Sequence, residues 1–222
     1  MEIRTALVAL VALLPASRFK NSMLRGLGWK IGFGVRLGPC LVLRVGDATV
    51  GDRAAIGPFN VLRNLTRFEI GPGARIGQWN FLTASHHMTA SGGPGSFALG
   101  SEASLTSRHY VDCTGGVKIG AYSTVAGERS TFITHGISWV TSDQTYGPIL
   151  IGEFCLLSSN VQVAPGSIVG DRIVVGMGAT IAGELSEPGL YIQPRAQLVK
   201  RDLKGEYFGR RLGSIESVRP RQ

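Results

Sequence analysis

A chain of 222 residues with 44% hydrophobic positions is long enough to bury one sizeable core. Its 31 glycines and 8% aromatic content argue against a β-sandwich or a doubly wound α/β sheet, and its net charge of +8 points to anionic contacts. The basic residues are scattered without interleaved aromatics, which speaks against a nucleic-acid partner, and Cys40, Cys113 and Cys155 lie too far apart for a disulfide framework or a CxxC metal site. Three unpaired thiols fit a reducing compartment.

The apolar run from Ala6 to Leu14 ends at Pro15, well short of the roughly 20 residues that cross a bilayer. Its leading residues, Met1 to Arg4, carry no net side-chain charge, and Pro15-Ala16-Ser17 is a poor cleavage site for a secretory signal. Residues 1–30 are therefore expected to form an apolar helical segment that packs on the rest of the chain or lies on a membrane surface. The basic, amphipathic stretch Arg18–Arg25 suits an anionic lipid face, placing the protein in the cytoplasm, peripheral on the inner side of the membrane.

From Ile31 an aliphatic residue followed by glycine or another small residue recurs every six positions: Ile31-Gly32, Leu37-Gly38, Val50-Gly51, Ile56-Gly57, Ile70-Gly71 and Ile76-Gly77. The longest run is Ile151, Leu157, Val163, Val169, Val175 and Ile181. Helices repeat every 3.6 residues and strands every 2, so a period of six marks a chain that turns a flat corner every six residues. This hexapeptide repeat predicts an all-β protein, a parallel β-helix over residues 31–194, with an interior better suited to Ile, Val and Leu than to rings. Two excursions break the period, Ser85–Ser96 and Gly136–Pro148, and read as loops thrown out of the coil beside which functional residues should sit. Leu190-Tyr191-Ile192 reads as a last strand, and the basic tail 195–222 as a capping helix over the open end.

Of four histidines, His135 stands out because it follows a coil strand and opens the second loop, where an imidazole suits general-base work. The order Ile119-Gly120, Val125-Ala126, Ile133-Thr134-His135, loop, Ile149–Gly152, Val163-Ala164-Pro165-Gly166 resembles the hexapeptide-repeat acyltransferases, within them the maltose, galactoside and colanic-acid O-acetyltransferase group. The resemblance spans about Gly26 to Lys200 and implies a left-handed β-helix, a homotrimer, and acetyl-coenzyme A as acyl donor in a groove between subunits. It implies that His135 deprotonates an acceptor hydroxyl of a sugar, glycan precursor or polysaccharide, with no metal.

Other positions carry over from the same resemblance. Ser159 and Met177-Gly178 fall where the family contacts the cofactor, and Arg195, Lys200 and Arg201 could hold its phosphates. Asp112 matches an acidic position on the acceptor side, able to orient the hydroxyl or the base; Glu128 is a second candidate for orienting the imidazole. Trp139 and Tyr146 of the second loop could stack on a sugar face. The sequence departs from the family at Leu156, where an indole is usual, and at Ala182-Gly183, where a phosphate-binding lysine is usual. Two other readings stay open: a non-catalytic β-helix scaffold, and a zinc carbonic-anhydrase type that would need three histidines around the metal.

Overall fold

The computed structural model describes residues 2–194, 197, 199, 201–202, 206–209 and 211. Its body is a triangular prism of short strands stacked in parallel, with two eight-stranded faces and one seven-stranded face among the described residues. We call these faces I (Lys30–Ile31 to Glu184–Leu185), II (Arg36–Leu37 to Gly189–Tyr191) and III (Leu41–Leu43 to Thr180–Ile181). The six-residue period maps directly onto them. Ile151, Leu157 and Val163 point inward from three successive faces, and Val169, Val175 and Ile181 repeat the circuit one coil above, paired in register with them. All six are 3% exposed or less, so the repeat is the core. The architecture is the parallel β-helix that the period predicts, left-handed as the family resemblance implies.

The small residue after each inward aliphatic is fixed by distance between coils. A Cβ on Gly71 would sit 2.6 Å from the Ser101 nitrogen, and one on Gly100 2.5 Å from the Ala121 nitrogen, both backbone atoms of the next coil. These glycines keep ordinary backbone conformations, whereas left-handed corner positions two residues after such glycines carry bulky side chains: Arg53, Phe59, Trp79, Tyr122, Phe154 and Arg172 have φ between 56° and 62°. A missing Cβ is thus required where coils touch, whereas the bend takes either a large side chain or a glycine such as Gly73 or Gly178. Neighbouring corner rings stack, Phe59 on Trp79 with centroids 4.6 Å apart and Tyr122 on Phe154 at 4.9 Å.

Slips in the period have a structural cause. Several face I strands hold two inward residues instead of one, as in Asp47–Val50, Arg67–Ile70 and Ser96–Leu99. The wider coils admit rings: Phe68 and Phe97 are fully buried with centroids 6.1 Å apart, and Trp29 packs on Phe68. Phe132 is also fully buried, so the interior is less purely aliphatic than its period suggests.

Both excursions leave from the edge between faces III and I, two coils apart. The first contains a short helix, which a Gly-rich polar sequence did not announce; its first helical residue is His86, and Ser85 is the cap that accepts from the Met88 N–H. The second is a hairpin, His135–Ile137 pairing antiparallel with Gln144–Tyr146.

The amino-terminal segment, expected to be helical with an apolar then an amphipathic part, folds as two helices: α1 (Glu2–Ala12) and α2 (Arg18–Gly26), separated at Pro15 and restarted by the Ser17 cap. Val8, Val11 and Ala12 of α1 and Leu24 of α2 join the core and close the first coil. Lys20, 1% exposed, donates from Nζ to the carbonyls of Ala12 (2.7 Å), Leu14 (2.9 Å) and Gly38 (2.8 Å), tying the end of α1 to the first corner. Desolvation lowers its pKa to about 8, outweighing an opposing contribution from Cys40. At the other end, a four-residue helix (Glu206–Gly209) is described, while most of the expected capping tail, with Arg195 and Lys200, lies outside the described residues.

Replacing Gly71 by alanine should destabilise the fold by about 1–3 kcal/mol, read from urea midpoints, because backbone rather than a flexible side chain must give way. Lys20→Met keeps the apolar stem but strands three carbonyls, and should cost about 2–3 kcal/mol in the same assay.

Candidate active site

The site lies on the edge between faces III and I, where the chain passes from Tyr110–Asp112 in one coil and from Thr131–Phe132 in the next. Tyr110 pairs with Thr131 and Val111 with Phe132, so the residues that follow, Asp112 and His135, meet although they are 23 apart in sequence. The His135 Nδ1 stands 2.7 Å from an Asp112 carboxylate oxygen. The imidazole is partly exposed, 38% of its side chain, whereas the aspartate is 3% exposed.

Five donors converge on this one carboxylate. Oδ1 accepts from the Thr114 backbone N–H (3.1 Å) and hydroxyl (2.6 Å); Oδ2 accepts from the Thr134 N–H (2.8 Å) and hydroxyl (2.6 Å) and from His135. Each threonine hydroxyl has a fixed direction. Thr114 Oγ1 accepts from the Ser85 N–H, and Thr134 Oγ1 from the Gly115 N–H, so each has its single proton free to give to Asp112. Burial by itself pushes the Asp112 pKa up, but the hydrogen bonds from Thr114, Thr134 and His135 together outweigh it and hold the carboxyl below its ordinary value of 3.8.

An ionised carboxylate can only accept, so the hydrogen on the His135 ring must be at Nδ1. Neutral His135 therefore presents an unprotonated Nε2 outward, the arrangement of a general base held in one tautomer by a buried anion. The surrounding loops fix its backbone: His135 pairs with Tyr146 across the hairpin, and the Gly147 N–H donates to the Thr134 carbonyl. The Tyr146 hydroxyl reaches the Gly92 carbonyl of the first loop, so the two loops touch on either side of the Asp112 edge.

Beside this edge a groove of about 480 Å³ opens on face I, lined among others by Pro94, Gly116 and Pro148 and carrying Arg67, Glu69 and Lys118. A wider depression of about 530 Å³ lies on face II, with Arg36, Ala55, Arg75 and Ser104; neither depression is lined by His135 or Asp112, and the face I groove adjoins their edge through Gly115, Gly116 and Pro148.

The remaining candidates are distributed differently from their sequence reading. Asp112, placed on the acceptor side, has both oxygens engaged by protein donors, which leaves it facing the base rather than a ligand. Glu128 pairs with Arg108 at 3.0 Å on another edge and does not orient the imidazole. Tyr146 is exposed beside the site, its hydroxyl on the Gly92 carbonyl, and Trp139, 92% exposed, stands at the hairpin tip. Ser159 and Met177-Gly178 stack on one another at the edge between faces II and III, the Gly178 N–H donating to the Ser159 carbonyl, so one chain does not bring them to His135. Leu156 lies on the outside of face II and Ala182-Gly183 on the His135 edge two coils further. Arg201 is exposed.

His109 belongs to a different structure, an internal polar ladder on the edge between faces II and III. The Asn80 Oδ1 accepts the His109 N–H, and His109 Nδ1 accepts the Ser130 N–H in the next coil. With Nε2 against Thr106 Oγ1 at 2.9 Å, both ring nitrogens are used. Desolvation drives its pKa down to about 4, only partly opposed by Glu128, so it stays a neutral structural group. Among the described residues no three His, Cys, Asp or Glu side chains gather as a metal site. Thr114 and Thr134, the residues that set the charge of Asp112, went unassigned in sequence; the Asp112-x-Thr114 spacing and the threonine before His135 are the only traces they leave.

No protein-family model and no curated protein sequence matches the chain. Among solved structures it is similar to the polySia specific acetyltransferase NeuO, with 14% identity over 85% of this chain and 87% of that one and a TM-score of 0.52. It is less similar to the polysialic acid O-acetyltransferase OatWY (12%, covering 77% and 92%, TM-score 0.40) and to a mutant of AntD, an N-acyltransferase from Bacillus cereus in complex with dTDP and coenzyme A (11%, covering 81% and 89%, TM-score 0.39). The likeness to NeuO is one of fold, a hexapeptide-repeat β-helix.

The folded-state pKa of Asp112 is depressed, so the carboxylate contributes stability above its unfolded value that is lost as pH falls through the folded one. Urea midpoints of wild type and Asp112→Ala should therefore differ by a constant amount at neutral pH and converge in acid, below about pH 4.

Proposed function

We propose that this chain is an acyl-coenzyme-A-dependent O-acyltransferase, transferring an acetyl group to a hydroxyl of a sugar, glycan precursor or polysaccharide, with His135 as general base. The observation that carries the reading is the His135–Asp112 pair, a partly exposed imidazole locked in one tautomer by a buried carboxylate that five donors satisfy. The fold likeness to an acetyltransferase supports it.

In this reading Nε2 takes the proton of the acceptor hydroxyl as its oxygen bonds to the thioester carbonyl carbon. Collapse of the tetrahedral intermediate breaks the C–S bond, and the imidazolium returns its proton to the leaving thiolate. Asp112 stabilises the imidazolium in between without itself becoming protonated, the role that buried carboxylates play toward catalytic histidines elsewhere. No acyl-enzyme forms. The groove on face I, with Lys118, Arg67 and Glu69, offers a polar floor for an extended acceptor.

Ser159, Met177 and Gly178 stand on a different edge from His135, so a donor that touches both must lie between two copies of the chain. The homotrimer implied by the family resemblance supplies such a groove and is part of the proposal. His109, with both nitrogens engaged inside the prism, could not join His135 around a zinc ion, which removes support from the carbonic-anhydrase reading.

Purified protein should release free thiol from acetyl-CoA only when a glycan acceptor is added. His135→Ala should lower that turnover by about 10²–10⁴-fold with unchanged circular dichroism. Undiminished turnover in this variant would remove the assigned base, and absence of coenzyme A binding in calorimetry would favour the scaffold.

A further inference from the structure

The amino-terminal helices bury one face and leave a second apolar face uncovered. On α1, Val8, Val11 and Ala12 pack into the prism, while Ile3, Leu7 and Leu10 follow one another at helical spacing along the uncovered side and Leu14 extends the row just past the helix end; Ile3 is 78% and Leu10 64% exposed. Phe19 and Met23, one turn apart on α2, and Phe33 at the first corner add to the exposed apolar surface of the same end. No charged residue interrupts the sequence between Arg4 and Arg18. Scattered exposed apolar residues are ordinary, but a continuous helical stripe of leucines is a contact surface.

Its surroundings indicate what it contacts. Residues 1–46 contain seven Lys and Arg and a single acidic residue, Glu2, and so carry most of the net charge of the chain. Lys20 is buried in its carbonyl cage, but Arg4, Arg18, Arg25, Lys30, Arg36 and Arg44 are exposed. On α2, Arg18 adjoins Phe19 on the exposed surface, whereas Arg25, nearly opposite Met23, donates to the Ile31 and Gly32 carbonyls and holds its charge beside the first coil. Two such ends apposed would bring their cations together, so the charge disfavours a second copy as occupant and favours an anionic one. No helix of the described residues is long and apolar enough to cross a membrane.

We propose that this end of the solenoid docks in the plane of an anionic lipid bilayer, with the Ile3–Leu7–Leu10–Leu14 stripe and Phe19 entering the interface and the surrounding arginines and Lys30 meeting lipid phosphates. The first coils and both loops are then held at a defined height above the membrane, since the helices are tied rigidly to coil one by Lys20 and by the Cys40 N–H donating to the Ala12 carbonyl. The inference is independent of the acyltransferase reading.

The test is co-sedimentation of the full chain with vesicles of phosphatidylcholine alone and of phosphatidylcholine doped with phosphatidylglycerol. Wild type should bind the anionic vesicles and not the neutral ones. The double variant Leu7→Ser/Leu10→Ser, which alters exposed positions only, should bind at least about tenfold more weakly, and Arg18→Gln about fivefold more weakly, with thermal melting unchanged in both. The proposal is overturned if wild type stays in the supernatant with anionic vesicles, or if the leucine variant binds as tightly as wild type. A wild type that ignores vesicles but loses half or more of its sedimentation mass in the leucine variant would assign the face to a second copy instead.

Discussion

Everything in this molecule depends on how closely one coil can lie on the next. Parallel strands hydrogen-bond at a fixed spacing of about 4.8 Å, and at the edges the chain must turn without enlarging that gap. Gly71, Gly100 and their equivalents meet the constraint by offering no Cβ to the backbone above, and the inward aliphatic before each fills the space the turn encloses. The bend itself is left to residues in the left-handed region, which point outward and can be large. An arginine or tryptophan at such a corner is strained as a backbone but free as a side chain.

The same stacking builds the site. Because coils are in register, the end of one face III strand lies directly beneath the end of the next, and a carboxylate on the lower coil meets an imidazole on the upper one. Closing that contact buries Asp112, and an unpartnered buried carboxylate would take up a proton. The two threonines prevent this: each is aimed by a backbone N–H so that its hydroxyl proton points at the anion. The edge of the prism thus converts a structural regularity into a charged group of defined protonation state, and the histidine above it inherits a defined tautomer.

Polar groups elsewhere in the prism show the contrast. Asn60, Asn80, His109 and Ser130 climb the edge between faces II and III one per coil, satisfied by backbone groups and by one another, with Thr106 on the His109 ring. His109 is there an asparagine substitute, whereas His135 keeps one nitrogen for solvent. Identical side chains on two edges of one fold differ in capacity because one edge is sealed by close coils and the other is held open by two loops.

The fold was legible in sequence because a six-residue period is local: each inward aliphatic and its small successor report one turn, and six in a row from Ile151 to Ile181 report two full coils. His135 was legible for the same reason, standing where the period breaks. The short helix at His86 and the hairpin were not, since loops that leave the coil carry no period. The partner of His135 was narrowed to two. Asp112 and Glu128 are both acidic and both upstream, and only stacking decides that the first lies beneath the imidazole while the second faces Arg108 around the corner. The edge occupied by Ser159, Met177 and Gly178 was hidden likewise. Sequence determines what each coil contains; which residues of different coils touch is decided by how many residues each circuit takes, and that is a property of the closed prism.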